Sequence, residues 1–176
     1  MTIAKPRRQQ TTSHPAAGGR ATPLLLEAFL PYRLNVLAAT VSEALARIYR
    51  ERFSFGIPEW RVMATLGQFG EITAREISTH AMMHKTKVSR AVAALEARLL
   101  IERRPNTSDK REAILRLLPE GERIYRCLVP HALAFSSDLD AALSSTERQA
   151  LDAILLKLMQ RAETLGVAPT LPGGDL

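Results

Sequence analysis

The stretch HKTKVSRAVAALEARLL, residues 84–100, opens with cations and hydroxyls and closes as an apolar repeat. At 100° per residue, Val88, Val92, Leu95 and Leu99 share one helical face, and Thr86, Arg90, Ala93 and Ala97 lie roughly opposite. The first face suits packing on a core. The second has a hydroxyl and a cation at its start and only small side chains beyond. A helix that slides between phosphate chains needs that arrangement, although a solvated amphipathic helix explains these residues alone equally well. The neighbouring residues decide. Arg103, Arg104, Lys110 and Arg111 follow on two short apolar–polar runs, LIERR and AILRL, around the turn-rich PNTSDKRE. The change of period predicts a β-hairpin with a basic tip. Together the pieces form a way to hold a duplex, with the helix in the major groove and the tip at the next minor groove. Lys85, Lys87, Arg103 and Arg104 are the expected phosphate contacts, and Thr86, Ser89 and Arg90 the expected base-edge contacts. Asp109 would repel phosphate unless its carboxylate orients the Arg111 fork. The alternative is a surface ion pair worth ~0–1 kcal/mol.

The charge distribution points the same way. The net charge of +6 gathers in two blocks. Residues 1–22 carry four cations and no acid, and residues 85–116 hold nine Lys/Arg against four Asp/Glu. Residues 23–84 balance at six and six, and residues 117–176 are net −3. Such concentration is the footprint of a polyanion binder. The 46% hydrophobic content of the 176 residues suffices for a folded domain with an added helical layer. The lone Cys127 excludes an intramolecular disulfide and a multi-cysteine metal site. No run is apolar enough to span a bilayer, and no signal-peptide core follows the N-terminal cations, so a cytoplasmic protein without a membrane partner is expected.

The elements that must position these residues follow from periodicity and caps. Residues 1–22 read as a flexible basic tail. A helix marked by Leu34, Leu37, Val41, Leu45 and Ile48, with Pro31 in its first turn, ends near Arg52. FGIPEWRVMATLGQFG is a second helix, with Pro58 at its start and Gly70 beyond its end. TAREISTH is a short third, with Thr73 and Glu76 at capping-box spacing, and AMMH turns into the basic helix. After the hairpin, Pro119 starts a helix that Pro130 should kink, and Ser144 with Glu147 caps a last long helix. Its apolar stripe is Leu151, Ile154, Leu155, Leu158, Ala162 and Leu165, and residues 167–176 form a loose end. The fold class is therefore mainly α with a small β-wing. A winged helix-turn-helix over 54–118 is flanked by helical segments, 23–53 and 119–166, too apolar to stand alone. A symmetric homodimer would cover them.

At these residues the chain resembles a MarR-type winged-helix transcription regulator over roughly residues 30–165. TAREISTHAMMHKTKVSRAVAALEARLLIERR and DKREAILRLLPEG carry the resemblance, Asp109-Lys110-Arg111 most specifically. It implies a homodimer on a pseudo-palindromic operator, with Arg111 entering the minor groove and Asp109 steadying it. The family usually has Thr or Ser where Leu118 stands, so the cap of the following helix is weakened. The family's members commonly answer small aromatic ligands where the first, second and fifth helices meet. PYRLNVL and IPEWRVM are the matching stretches, and they are similar to the branch that senses hydroxycinnamate-derived compounds and their CoA thioesters. Tyr32, Arg33, Asn35, Trp60 and Arg61 are then the ligand candidates, because arginine among aromatics suits an aromatic carboxylate or an acyl-CoA phosphate. Singly, Trp60 reads as core and Arg33 and Arg61 as solvated charges.

The expected function is a repressor released from DNA by an aromatic acid or aromatic acyl-CoA. The rivals are a ligand-independent architectural DNA binder and a thiol-based repressor using Cys127, although a packed or idle thiol fits that position better. His80 and His84 stand four apart, but a turn between them and the want of a third ligand argue against a metal. Met63, Met82 and Met83 read as core. No phosphate-binding glycine loop or nucleophile elbow supports an enzyme, and no cofactor is implied.

Overall fold

The computed structural model describes residues 23–166; the expected tails over 1–22 and 167–176 lie outside the described residues. The chain divides into two units, residues 1–38 and 39–176. In the first, a 3-10 turn at Leu26–Ala28 leads into the opening turns of α1, Leu30–Phe53. Every described side chain there is exposed, including Leu25, Phe29, Leu30 and Tyr32.

In the second unit α1 continues to Phe53 and is followed by α2, Ile57–Phe69, with Pro58 in its first turn and Gly70 as C-cap at φ 75°. Then come β1, Ile72–Thr73, α3, Ala74–His80, and α4, Lys85–Ala97. Strands β2, Ile101–Pro105, and β3, Ala113–Leu117, make the hairpin, and α5, Pro119–Asp140, and α6, Ser145–Gly166, close the chain. The two-residue β1 has no readable period and was not expected. It pairs antiparallel with β3 through Ile72 opposite Leu115, so the hairpin becomes a sheet of order β1-β3-β2.

Helix α2 is the hub, packing on α3, α4, α5 and β3. The core it gathers includes Phe55, Met63, Leu66, Ile77, Val88, Val92, Leu95 and Leu115. From α1 the buried residues are Ala46 and Tyr49, with Leu45 and Ile48 at the margin. Leu37 of the expected stripe is 58% exposed. Helix α5 runs through Pro130 without ending. Its start needs Gly121, because a Cβ there would meet the Leu100 carbonyl oxygen at 2.1 Å. The same carbonyl accepts the Leu118 N–H at 2.9 Å, and Leu118 provides no side-chain cap, as its type implies. Both capping boxes form, Thr73 with Glu76 and Ser144 with Glu147. Along α6 the stripe residues Leu151, Ile154, Leu155 and Leu165 stay exposed. No helix among the described residues is long and apolar enough to cross a membrane.

Candidate nucleic-acid interface

Helices α3 and α4 are joined by a tight reversal built from backbone bonds. Met82, at φ 50°, donates its N–H to Thr79 O, and Met83 donates to Ser78 O. Helix α4 ends the same way, with Leu99 at φ 56° donating to Glu96 O and Leu100 to Leu95 O. Both are Schellman endings with a side chain where glycine is usual, and the following residue is the apolar anchor. The left-handed residue points outward, so Met82 is 86% and Leu99 73% exposed while Met83 and Leu100 are buried. The expectation that Met82 and Leu99 join the core is corrected on this ground. Val88, Val92 and Leu95 are buried as the wheel indicates, together with Ala91.

His84 is the N-cap of α4, its Nδ1 accepting the Thr86 N–H at 3.3 Å. His80 stacks on Phe69 with ring centroids 4.1 Å apart. Beyond the cap, Lys85, Thr86, Lys87, Ser89 and Arg90 are all exposed at the helix start. Lys85, Lys87 and Arg90 have no carboxylate partner among the described residues.

The wing cations are arranged differently. Arg111 donates from Nε to Asp109 Oδ1 at 3.0 Å and from Nη2 to Oδ2 at 2.9 Å, while its side chain is 89% exposed. These bonds hold the Asp109 carboxyl below the ordinary carboxylate range. Asn106 Oδ1 accepts the Ser108 and Asp109 N–H groups and shapes the tip. Lys110 is exposed and without a carboxylate partner among the described residues. At the wing root, Arg103 donates to both Glu96 oxygens, at 2.8 and 2.9 Å. Arg104 and Arg116 share the Glu102 carboxylate, whose pKa is lowered chiefly by the Arg116 hydrogen bond. Glu71 lies 3.9 Å from both arginines, and Arg75 pairs with Glu112 at 3.2 Å. The charge count saw the cations but not this sorting. Glu102 faces Arg116 across the hairpin, a pairing readable only once the register is known.

Trp60 and Arg61 do not fall together. Trp60 is buried and stacks on Tyr49, centroids 5.6 Å apart, and the burial pushes the Tyr49 hydroxyl up to about 12. With Ala64, Tyr125 and Val129 it lines an apolar groove of about 310 Å³ between α2 and α5. Its neighbour Arg61 is half-buried, donates from Nη2 to Ser42 Oγ at 3.3 Å, and faces a separate cavity of about 510 Å³. His84, Lys87 and Arg90 share that second cavity. The grouping of Trp60 and Arg61 in one site is corrected, since adjacent helical residues point 100° apart. Tyr32, Arg33 and Asn35 are exposed on the first turns of α1, in the N-terminal unit. Cys127 is exposed on α5 rather than packed.

A short helix, a Schellman turn, a second helix with free cations at its start and a wing with an exposed arginine tip define a winged helix-turn-helix fold. Residues 56–113 match the MarR family model. It is 26% identical over 132 residues to the uncharacterised HTH-type transcriptional regulator YwoH of Bacillus subtilis, covering 75% of this chain and 95% of that one. The fold superposes on a MarR/EmrR family regulator of Acinetobacter sp. ADP1 with a TM-score of 0.72 at 24% identity, covering 80% of this chain and 99% of the other. S. aureus MepR, solved in complex with DNA, matches at 0.68 and 19% identity over 76% and 98% of the two chains. Bordetella bronchiseptica BpsR, whose DNA binding is regulated by 6-hydroxynicotinic acid, matches at 0.68 and 17% over 78% and 98%.

Proposed function

We propose that the chain is a homodimeric repressor that binds a pseudo-palindromic operator and is released from it by an aromatic acid or its CoA thioester. The observation that carries the DNA half of this reading is the contrast among the cations. Lys85, Lys87 and Arg90 at the start of α4, with Lys110 and Arg111 at the wing tip, are exposed and uncommitted or aimed by Asp109. These five, with Thr86 and Ser89, form the proposed contact set. Lys85 and Lys87 hold phosphates, Thr86, Ser89 and Arg90 read base edges, and the Arg111 fork enters the minor groove. Arg103 and Arg104 reach phosphate only by giving up Glu96 and Glu102, so they contribute less than their charge suggests. Exposed ion pairs are worth ~0–1 kcal/mol, so the exchange is affordable but small in return.

The domain reading stays with the sequence: 54–118 binds DNA, and 23–53 with 119–166 form the dimer. The exposed leucines of α6 and of the α1 start support it. For the effector, the apolar groove edged by Trp60 is the proposed seat of an aromatic ring, while Arg61, on a separate cavity, does not share that seat. Tyr32, Arg33 and Asn35, exposed on the first turns of α1, are proposed as ligand contacts within their own unit. The BpsR case supports a ring acid as an effector class for this fold. Release follows if the ligand favours a dimer geometry whose recognition helices miss the half-site spacing, by no more than its differential affinity for the two geometries.

The test is a gel shift of the full chain on its own upstream intergenic DNA, titrated with aromatic acids and their CoA thioesters. Loss of the shifted band on addition of one of these is the expected result. A specific complex that none disturbs would overturn the effector half and favour ligand-independent binding. No specific complex at all would overturn the operator reading.

A further inference from the structure

Arg98 is the C-cap residue of α4, at the end opposite the DNA-facing cations. Its Nη2 donates to the Phe53 carbonyl oxygen at 2.9 Å, across 45 residues of chain. Its guanidinium carbon stands 4.5 Å from the centre of the Phe55 ring, which is 1% exposed and itself stacked with Phe53 at 5.9 Å. Phe53 is the last residue of α1, and Ser54 turns the chain away at φ 54°. The Phe53 carbonyl is one of the last four in α1, which have no partner within their own helix, and the negative end of the helix dipole favours a cation there. Arg98 has no carboxylate partner among the described residues, so nothing competes for the guanidinium. One side chain therefore caps α1 from the end of α4.

One other attachment of α4 is directional, the Arg103 bonds to Glu96, and it ties α4 to its own wing rather than to another helix; the rest is apolar. Val88, Ala91, Val92 and Leu95 bury an apolar face, which holds the helix against the core without specifying a direction. A hydrogen bond to a fixed carbonyl and a planar cation over a buried ring are directional. We propose that Arg98 is a positioning residue: it locks the axis of α4 to the end of α1 and so sets the separation at which the recognition helices of two copies meet DNA. This inference rests on the operator-binding dimer proposed above, and it places Arg98 outside the DNA contact set.

The test compares the full-length wild type with Arg98→Ala and Arg98→Lys by fluorescence anisotropy. The probes are a two-half-site duplex from the chain's upstream DNA, a single half-site, and duplexes with the half-sites moved by one base pair either way. Arg98→Ala is expected to lose about tenfold on the two-half-site duplex, in the ordinary range of coupling between sites. It should keep single-half-site affinity and its salt dependence, and show a flatter preference for spacing. Arg98→Lys should recover part of the loss, since an ammonium can still donate to Phe53 O and sit over Phe55. Equal losses on both duplexes, with the salt slope reduced by about one, would make Arg98 a phosphate contact and overturn the proposal. So would unchanged affinity and spacing preference. If Arg98→Ala loses its helical circular dichroism, Phe55→Leu removes the ring and keeps the hydrogen bond, and a smaller loss confined to the two-half-site duplex is the expected outcome. A wild type that binds one half-site as well as two would refute the dimeric operator reading itself, before any variant is compared.

Discussion

At the residue scale the wing tip and the start of α4 divide the labour. Arg111 is both exposed and held by two bonds to one carboxylate, which would lower the entropy lost in the groove entry proposed for its fork. Arg111→Ala is expected to weaken operator binding without changing the unfolding temperature. Asp109→Asn should weaken it less, because the asparagine carbonyl can accept only part of the fork. Anisotropy titrations with parallel thermal melts check both. Arg90→Ala should relax preference at one base pair per half-site by ~1–3 kcal/mol, whereas equal losses on all sequences would assign Arg90 to phosphate. Acid stability also belongs here. The Thr73 backbone and hydroxyl hold the Glu76 carboxyl below its ordinary 4.5, and Ser144 does the same for Glu147. A lowered folded pKa contributes stability that is present above 4.5 and lost as pH falls through the folded value. Melts below pH 4.5 should therefore fall less steeply in Glu76→Gln than in the wild type, from a lower starting point.

At the element scale the two Schellman endings make the turn of the motif with costly residues. Met82 and Leu99 sit in left-handed conformations with exposed side chains, so glycine should relieve strain of about 1 kcal/mol at little loss of packing. Leu99→Gly is expected to raise the unfolding temperature, or leave it unchanged where added chain entropy offsets the relief. At the start of α5 the backbone is already extended at Leu118, with φ −84° and ψ 166°, and only the side chain lacks a cap. Leu118→Thr should stabilise the protein by about 1 kcal/mol, measured by denaturant midpoint. Helices, caps and hairpin were readable here because each depends on residues three or four apart. The third strand was not, since two residues carry no period and β1 exists only because β3 offers an edge to Ile72 and Thr73.

At the scale of the whole molecule the exposed apolar rows of α1 and α6 are the open account of the fold. Leu151, Ile154, Leu155 and Leu165 on one helix are more than a solvated surface helix needs. If they meet a second copy, Leu151→Lys with Leu155→Lys should turn dimer into monomer in sedimentation velocity and lower affinity for two half-sites far more than for one. An unchanged sedimentation coefficient would move the dimer contact elsewhere.

The amino-acid sequence by itself determined what is local. It set the helical periods, the Thr73–Glu76 and Ser144–Glu147 caps, the basic hairpin tip, and the resemblance carried by Asp109-Lys110-Arg111. Tertiary structure decided what depends on residues far apart in the chain. It chose which arginines are spent on carboxylates, as when Glu102 crosses the sheet to Arg116. It turned Trp60 and Arg61 into different cavities, and it brought Arg98 to the end of α1. The physical reason is the same in each case. Caps and periods are energies between near neighbours, written in residue types. Ion pairs, cavities and long-range clasps depend on the register and packing that only the closed chain supplies.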